Sequence, residues 1–358
     1  MKRVVVKVGT RLLTGEENLL DVEKVRKVVA EIADIRGLGV EVLLVSSGAI
    51  GAGMGILGLR RRPSSIHELQ AVAAIGQNQL IGLYSELFKE HGIIAAQMLL
   101  TQDDFDNRRR YLNMKWTIKE LLKKGAIPVI NENDSVATDE LKCGDNDRLS
   151  SLVADLSESE CLIVLTNVDG LLDEKNELIR HIEEMTPKME RLVRKTKCDL
   201  SLGGMGTKLE AAKQAMGAGI QCVIANGNRK GVLRTIIEKG GVGTVCRPSR
   251  RMIAKKRWIA FSSKTKGAII VDDGAKEVLV KRNKSLLASG VVSARGRFKQ
   301  KDVLSVVDEA SNEFARGVTN YSSDEMARVK GMKTAQIKAL FPGRKQYEVI
   351  HRDSLAIL

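Results

Sequence analysis

The sequence predicts an α/β protein: a mostly parallel sheet sandwiched by helices over residues 1–250, followed by a small, mainly β unit over 251–358. Three observations carry this prediction. Short apolar runs alternate with helix-spaced stretches through the first part, the pattern of a parallel sheet covered on both faces. Four glycine-bearing segments follow the expected strands or open the expected helices: Lys7-Val-Gly-Thr10, Ser46-Ser-Gly-Ala49, Gly144-Asp-Asn-Asp147 and Gly203-Gly-Met-Gly-Thr-Lys208. In such folds ligands bind at the carboxyl ends of strands, which is where these segments fall. After Arg247-Pro-Ser-Arg the character changes to short strands punctuated by turns.

Lys2–Val8 is a continuous β-branched run and the first strand. Asp21–Arg36 has helical spacing, with Val22, Val25, Val28, Val29 and Ile32 on one face. Val40–Val45, Ile93–Met98, Ala126–Ile130, Cys161–Leu165 and Ile220–Ala225 read as further buried strands. Ser65–Lys89, Arg108–Lys123, Arg148–Leu156, Lys208–Met216 and Lys230–Lys239 read as helices. In the second unit Ala268–Val271, Val291–Ser293, Val303–Val307, Phe314–Val318 and Tyr347–His351 are strand-like. Asp272-Asp-Gly274, Ala288-Ser-Gly290 and Arg295-Gly296 read as punctuation, with one or two short helices near Ser323–Val329. A basic linker, Arg250–Arg257, joins the units.

The bulk numbers narrow the function. At 358 residues, two domains are expected; 43% hydrophobic and 28% charged residues describe a globular chain. The opening segment is too short and too charged for a signal peptide, and no apolar run reaches a membrane span. Five cysteines without a C-x-x-C pair point to free thiols in a reducing cytoplasm, and four scattered histidines show no metal-ligand spacing. The net charge of +14 is uneven: residues 251–358 carry 22 Lys and Arg against 11 acids, an asymmetry that suggests nucleic-acid contact or a lysine-rich surface.

Phosphoryl transfer needs bare backbone N–H groups, cations and a group to hold the cations. Lys7 at a strand end, followed by Gly9, puts an ammonium beside a loop that an anion can approach closely. Ser46-Ser-Gly-Ala-Ile-Gly-Ala-Gly53 opens a helix whose N-terminus is left for a phosphate or carboxylate, or else serves close helix packing. Asn131 and Asp134 close a strand, where they can bind amide, carboxylate or ammonium groups or form an Asx turn. Gly144-Asp-Asn-Asp147 caps a helix with more acids than a cap requires, and Asp147 is placed to orient lysines from neighbouring loops. Thr166-Asn-Val-Asp-Gly-Leu171 closes a strand with a turn suited to a nucleoside edge. Gly203-Gly-Met-Gly-Thr-Lys208 is not a P-loop, because its lysine does not follow a glycine directly.

Together these segments resemble the glutamate-phosphorylating members of the amino acid kinase family, over essentially the whole chain. The C-terminal unit is similar to the PUA domain of RNA-modifying proteins. That likeness is carried by Gly267–Tyr321 with Asp272-Asp-Gly-Ala, Ser285-Leu-Leu, Gly296-Arg-Phe298 and Ala315-Arg-Gly317. The resemblance implies the amino-acid kinase fold and transfer from ATP, with Mg²⁺, to the side-chain carboxylate of L-glutamate, the first step of proline biosynthesis. It implies that Lys7 and Lys208 contact the moving phosphoryl group and that Asp147 organises them. Ser47, Asp134 and Asn146, together with Asn131, are expected to hold the substrate. Lys7, Gly9, Thr166, Asn167, Leu202, Gly203, Gly204, Met205, Gly206, Thr207 and Lys208 are expected to border the nucleotide. Proline as a feedback inhibitor, with the polar loop Thr101–Tyr111 as its place, and a homo-oligomer follow from the likeness alone. Three positions depart from it: Asn167 stands where aspartate is frequent, Ser201-Leu-Gly-Gly204 where Gly-Thr-Gly-Gly is usual, and Lys301 where glycine is usual.

The chemistry agrees. A glutamate side chain, with pKa near ~4.3, is already ionised at neutral pH, so no general base is needed, and no histidine lies in any of the four segments. The alternatives are a relative acting on another small acid or on UMP, and an RNA-binding protein led by its basic C-terminal unit. Against RNA stand few aromatic residues there for base stacking: Trp258, Phe261, Phe298, Phe314, Tyr321, Phe341 and Tyr347.

Overall fold

The computed structural model describes residues 1–15, 19–136, 145–184, 204–248, 254–262 and 264–358. The chain divides into two compact units, Met1–Arg251 and Met252–Leu358.

In the first unit β1 (Arg3–Val8) runs through a 3₁₀ turn at Thr10–Leu12 to α1 (Val22–Gly37), which Asp21 caps by accepting from the N–H groups of Glu23 and Lys24. There follow β2 (Glu41–Ser46), α2 (Ala49–Leu57), α3 (Ile66–Lys89), β3 (Ala95–Leu100), α4 (Gln102–Asp106), α5 (Arg108–Lys123) and β4 (Ile127–Glu132). Then come α6 (Asp145–Leu156), β5 (Cys161–Thr166), β6 (His181–Ile182), α7 (Met205–Gly217), β7 (Gln221–Asn226), α8 (Val232–Glu238) and β8 (Thr244–Cys246). The strands form one sheet in the order β3-β4-β2-β1-β5-β7-β8-β6, parallel except that β8 runs against β7. The chain builds outward from β1 on one side through β2 and β4, then crosses to β5 and β7 on the other, so β1 is the switch point.

Burial follows from composition. Val4, Val6 and Val8 of β1 pack with Val25, Val28, Val29, Ile32 and Ile35 of α1 and with Leu80, Tyr84, Leu87 and Phe88 of α3. Helices α2 and α3 touch backbone to backbone: a Cβ on Gly53 would lie 1.9 Å from the carbonyl oxygen of Val72, and one on Gly76 would lie 1.9 Å from that of Ala49. The glycine-rich stretch after β2 therefore serves helix packing at Gly53, whereas Gly48, at φ +115°, serves the turn itself. Three of the five cysteines, Cys161, Cys222 and Cys246, are buried free thiols; burial pushes Cys161 and Cys246 up to about 12. Cys143 and Cys198 lie outside the described residues.

The stretch Thr101–Tyr111 is not the loop expected of it. Thr101 and Asp104 form a reciprocal capping box that opens α4, and Asn107 caps α5 directly afterwards. The pieces β6 and β8 are too short to show any period, which is why sequence patterning passes over them.

The second unit is a five-stranded sheet in the order β10-β9-β11-β12-β13, with β9 (Ala268–Val271), α9 (Asp273–Arg282), β10 (Val291–Arg295), β11 (Val303–Val307), β12 (Glu313–Thr319), α10 (Ser323–Val329), α11 (Thr334–Leu340) and β13 (Ile350–Ile357). Two expectations fail here. Asp272-Asp-Gly274 is a helix start rather than a turn: Asp272 accepts the Ala275 N–H at 2.6 Å, and the charged sequence beyond it, burying only Leu279, hides the helix from pattern reading. The last strand begins at Ile350, not Tyr347, because Tyr347 packs its ring at the core edge while Tyr321 donates to its carbonyl.

Lys301 adopts φ +75°, a left-handed backbone that explains why glycine suits this position. Its N–H still donates to the Thr319 carbonyl, and its ammonium to Asn320. Lys301→Gly is expected to stabilise the protein by up to about 1 kcal/mol, the strain relief exceeding the half-exposed side-chain bond. Chemical denaturation checks this; a lowered midpoint would show that the Asn320 bond outweighs the strain.

Candidate active site

Parity along β1 decides where its lysine goes. Side chains alternate faces along a strand, so Lys7 shares a face with Val5 and opposes Val4, Val6 and Val8, which join the core under α1 and α3. The Lys7 face is covered by α6, which packs against both β1 and α7. Asp147, in the first turn of α6, and Lys208, in the first turn of α7, meet Lys7 there. Lys7 Nζ lies 2.5 Å from Asp147 Oδ1, and Lys208 Nζ lies 3.2 Å from Oδ2. Thr207 Oγ1 donates to the same Oδ2 at 2.6 Å. Oδ1 has no aligned hydrogen bond and holds Lys7 by charge.

All three charged side chains are buried. Burial alone would raise the Asp147 carboxyl, but the Lys7 and Lys208 ammoniums and the Thr207 hydroxyl outweigh it and hold the pKa below the ordinary carboxylate value. For Lys208 burial lowers the pKa, Asp147 raises it and the second ammonium lowers it again, leaving it below the ordinary lysine value. Two ammoniums, those of Lys7 and Lys208, converge on the one carboxylate of Asp147. Buried cations gathered at a strand end and a helix start are suited to receive an anion.

A second cluster lies beside it. Asn131, at the end of β4, accepts at Oδ1 from the Glu132 N–H at 3.0 Å and from Asn146 Nδ2 at 2.9 Å, and donates from Nδ2 to Gln77 Oε1 at 2.9 Å. Asn146 Nδ2 donates again to Ser47 Oγ at 3.1 Å. The preceding Ser46 hydroxyl lies 2.8 Å from that of Tyr84, whose pKa burial raises, and donates to the Ser47 carbonyl. The loop carrying Ser47 is thereby tied to α3. Asp134 is half-buried in the turn following β4.

Gly9 keeps the space at Lys7 open, since a Cβ there would lie 3.5 Å from the ammonium. Thr166 ends β5 buried, and the exposed Asn167 follows it, its Oδ1 3.4 Å from the threonine hydroxyl. Gly204 caps α7 without a side-chain hydrogen bond, and Met205, Gly206 and Thr207 form its first turn, three residues earlier than patterning placed the helix start. Leu202 and Gly203 lie outside the described residues.

Thus Asn131, Ser47, Lys7 and Thr166 follow one another along the carboxyl ends of the adjacent strands β4, β2, β1 and β5. Two roles escape sequence reasoning. Thr207, expected to border the nucleotide, also holds Asp147, and Gln77 fixes Asn131. Gln77 falls within the buried stripe of α3, between Ala73, Gly76 and Leu80. A polar residue in an apolar stripe was its one visible signal.

The amino acid kinase family matches residues 2–226, and the PUA domain matches residues 267–341. The chain belongs to the amino acid kinase family. Glutamate 5-kinase of Caldanaerobacter subterraneus subsp. tengcongensis is 46% identical over 364 residues, covering 99% of this chain and 98% of that protein. Glutamate 5-kinase of Thermoanaerobacter sp. strain X514 is 45% identical with the same coverage, and that of Marinomonas sp. strain MWYL1 is 43% identical, covering 100% and 97%. In this amino acid kinase the described residues contain no group of three or more His, Cys, Asp or Glu able to hold a metal ion, and both Asp147 oxygens already face cations. Nor is any described helix long and apolar enough to cross a membrane.

Proposed function

We propose that this chain transfers the γ-phosphoryl group of ATP to the side-chain carboxylate of L-glutamate, giving L-glutamyl 5-phosphate for proline biosynthesis. The convergence of Lys7 and Lys208 on Asp147, beside a polar cluster of amides and a hydroxyl, is the observation that carries the reading. Full-length similarity to proteins named Glutamate 5-kinase supports the substrate. ATP is taken as its magnesium complex; the described residues offer no dedicated cation cage, and no step here relies on one.

The nucleophile arrives ionised, so the chain's task is to bring two anions together and neutralise the charge that moves between them. Lys7 and Lys208 lie on either side of Asp147 and face the phosphoryl group, with Asp147 and Thr207 fixing their positions. The first turn of α7, capped at Gly204 with no side-chain hydrogen bond, adds backbone N–H donors for the phosphates, and Gly9 lets them approach. Thr166 and Asn167, with the glycine segment from Leu202, border the nucleotide; Ser47, Asn131, Asn146 and Asp134 border glutamate. ATP-dependent acyl-phosphate formation, trapped with hydroxylamine across L-glutamate, L-aspartate, N-acetylglutamate and carbamate, with UMP followed by ADP release, tests this. Turnover with an acceptor other than L-glutamate overturns the substrate assignment.

Asp134→Ala is expected to raise the KM for glutamate by at least about tenfold, through loss of a charge-assisted bond to the α-ammonium, with the KM for ATP little changed. An unchanged glutamate KM in a folded variant rejects that role. Lys208 must keep its proton to act, and burial places its pKa below 10.5. The alkaline limb of kcat/KM is therefore expected below the ordinary lysine range, activity falling as pH rises through it. A profile flat beyond pH ~10 would remove Lys208 from the reaction.

Proline inhibition, a homo-oligomer and a cytoplasmic setting remain proposals from the family likeness. Inhibition by millimolar proline and light scattering test the first two. RNA as the principal partner is disfavoured: Trp258, Phe298 and Tyr321 are buried, and Phe314, Phe341 and Tyr347 pack against the second unit's core, which leaves few faces for base stacking among the described side chains.

A further inference from the structure

We propose that Gln77 is a positioning residue that locks the Asn131–Asn146–Ser47 chain in one hydrogen-bond polarity, so that Ser47 presents its hydroxyl hydrogen to a carboxylate of the substrate while Asn146 makes no donation to it.

One group beside these side chains has no choice of role. The Glu132 backbone N–H can only donate, and both Asn131 Oδ1, at 3.0 Å, and Asn146 Oδ1, at 3.3 Å, face it. This settles which end of each amide is oxygen. The Asn146 NH₂ then spends its two hydrogens on Asn131 Oδ1 and Ser47 Oγ, at 2.9 and 3.1 Å. Asn131 Oδ1 has both lone pairs filled, by Glu132 and Asn146. Ser47 Oγ accepts from Asn146, and among the described residues no acceptor takes its own hydrogen, which is available to the ligand. The hydrogen of a hydroxyl in that state reads an acceptor, which in glutamate is the α-carboxylate and not the α-ammonium, although the second oxygen lone pair can still accept.

Gln77 supplies the outer end of the chain. Its Oε1 takes the Asn131 Nδ2 hydrogen at 2.9 Å, and α3 holds it there by the close crossing at the neighbouring Gly76. Without that acceptor, Asn131 keeps its Glu132 bond but loses the restraint on its amide plane, and the loosened Asn146 no longer holds Ser47. Gln77 thus acts on the acceptor substrate through two other side chains, and not on ATP.

This rests on the proposed function. The test measures steady-state kinetics of the full chain for wild type, Gln77→Met, Gln77→Glu and Ser47→Ala, with glutarate (no α-amine) and 4-aminobutyrate (no α-carboxylate) as competitive inhibitors against L-glutamate. Gln77→Met, similar in length and also helix-favouring, is expected to raise the KM for glutamate about tenfold with kcat and the KM for ATP within about twofold. Gln77→Glu keeps an acceptor for Asn131 and is expected to recover most of that loss. Ser47→Ala is expected to weaken glutarate more than 4-aminobutyrate. An unchanged glutamate KM in Gln77→Met, equal damage from Gln77→Glu and Gln77→Met, or a Ser47→Ala variant that weakens chiefly 4-aminobutyrate would each overturn the inference. Should wild type fail to phosphorylate glutamate at all, the proposed function falls first, and that outcome is read before any variant.

Discussion

Lys208→Ala is expected to lower kcat by about 10²–10³, the loss associated with removing one preorganised donor from a developing charge. Its stability effect should run the other way. Lys208 is a desolvated cation facing another cation, Lys7, across one shared carboxylate, and its pKa is depressed in consequence. Removing it leaves Asp147 still held by Lys7 and Thr207, so no buried carboxylate is left unpaired. Linkage gives the same sign. Between its lowered folded pKa and 10.5 the unfolded chain holds the Lys208 proton more firmly, so the wild type gains stability as pH rises through that window, and the variant should lack this gain. A kcat within threefold of wild type would rule out the assigned role; a large fall in melting temperature would recast Lys208 as structural.

Gly76→Ala is expected to be the most damaging single methyl in the first unit. The added Cβ would lie 1.9 Å from the Ala49 carbonyl oxygen and 2.2 Å from the Gly53 nitrogen, backbone atoms that cannot swing aside. Alanine is the better helix former by roughly 1 kcal/mol, but overpacking of this kind outweighs that gain, and a net loss of at least about 2–3 kcal/mol is anticipated. For a unit of this size that corresponds to roughly 4–12 °C in melting temperature. The damage should also reach function, because α2 begins just beyond Ser47 and α3 carries Gln77 and Tyr84. A rise in glutamate KM should accompany the thermal loss. A variant melting within 1 °C of wild type would mean that the helices separate at almost no cost.

Much of this was legible in the linear chain because it depends on local rules. The β-branched run before Lys7, the spacing of Val25, Val28, Val29 and Ile32 in α1 and the strands Ala268–Val271 and Val303–Val307 follow from period alone, whereas Val22, expected on the same face, is exposed in the first turn. Lys7, Asp147 and Lys208 could be picked out because lysines and acids beside glycines at strand and helix ends are conspicuous. Other features were not readable in this way. The α9 helix opens on Asp-Asp-Gly, which a reader takes as a turn until the cap at Ala275 is seen. Gln77 carries no motif, and its importance arises only where α3 passes Asn131.

What the residues alone decide, then, is the alternating α/β architecture, the change of character after Arg247 and the identity of the charged groups, because propensity, periodicity and charge are properties of short segments. Tertiary structure alone decides which of those groups meet. Lys7 and Lys208 stand 201 positions apart in the chain, yet they share one carboxylate because strand parity points Lys7 toward the face where α6 and α7 begin. The direction of the Ser47 hydroxyl is likewise set by a backbone N–H at Glu132, through amides from two other elements. Long-range pairing and hydrogen-bond polarity depend on the three-dimensional arrangement of distant segments, and no local pattern contains it.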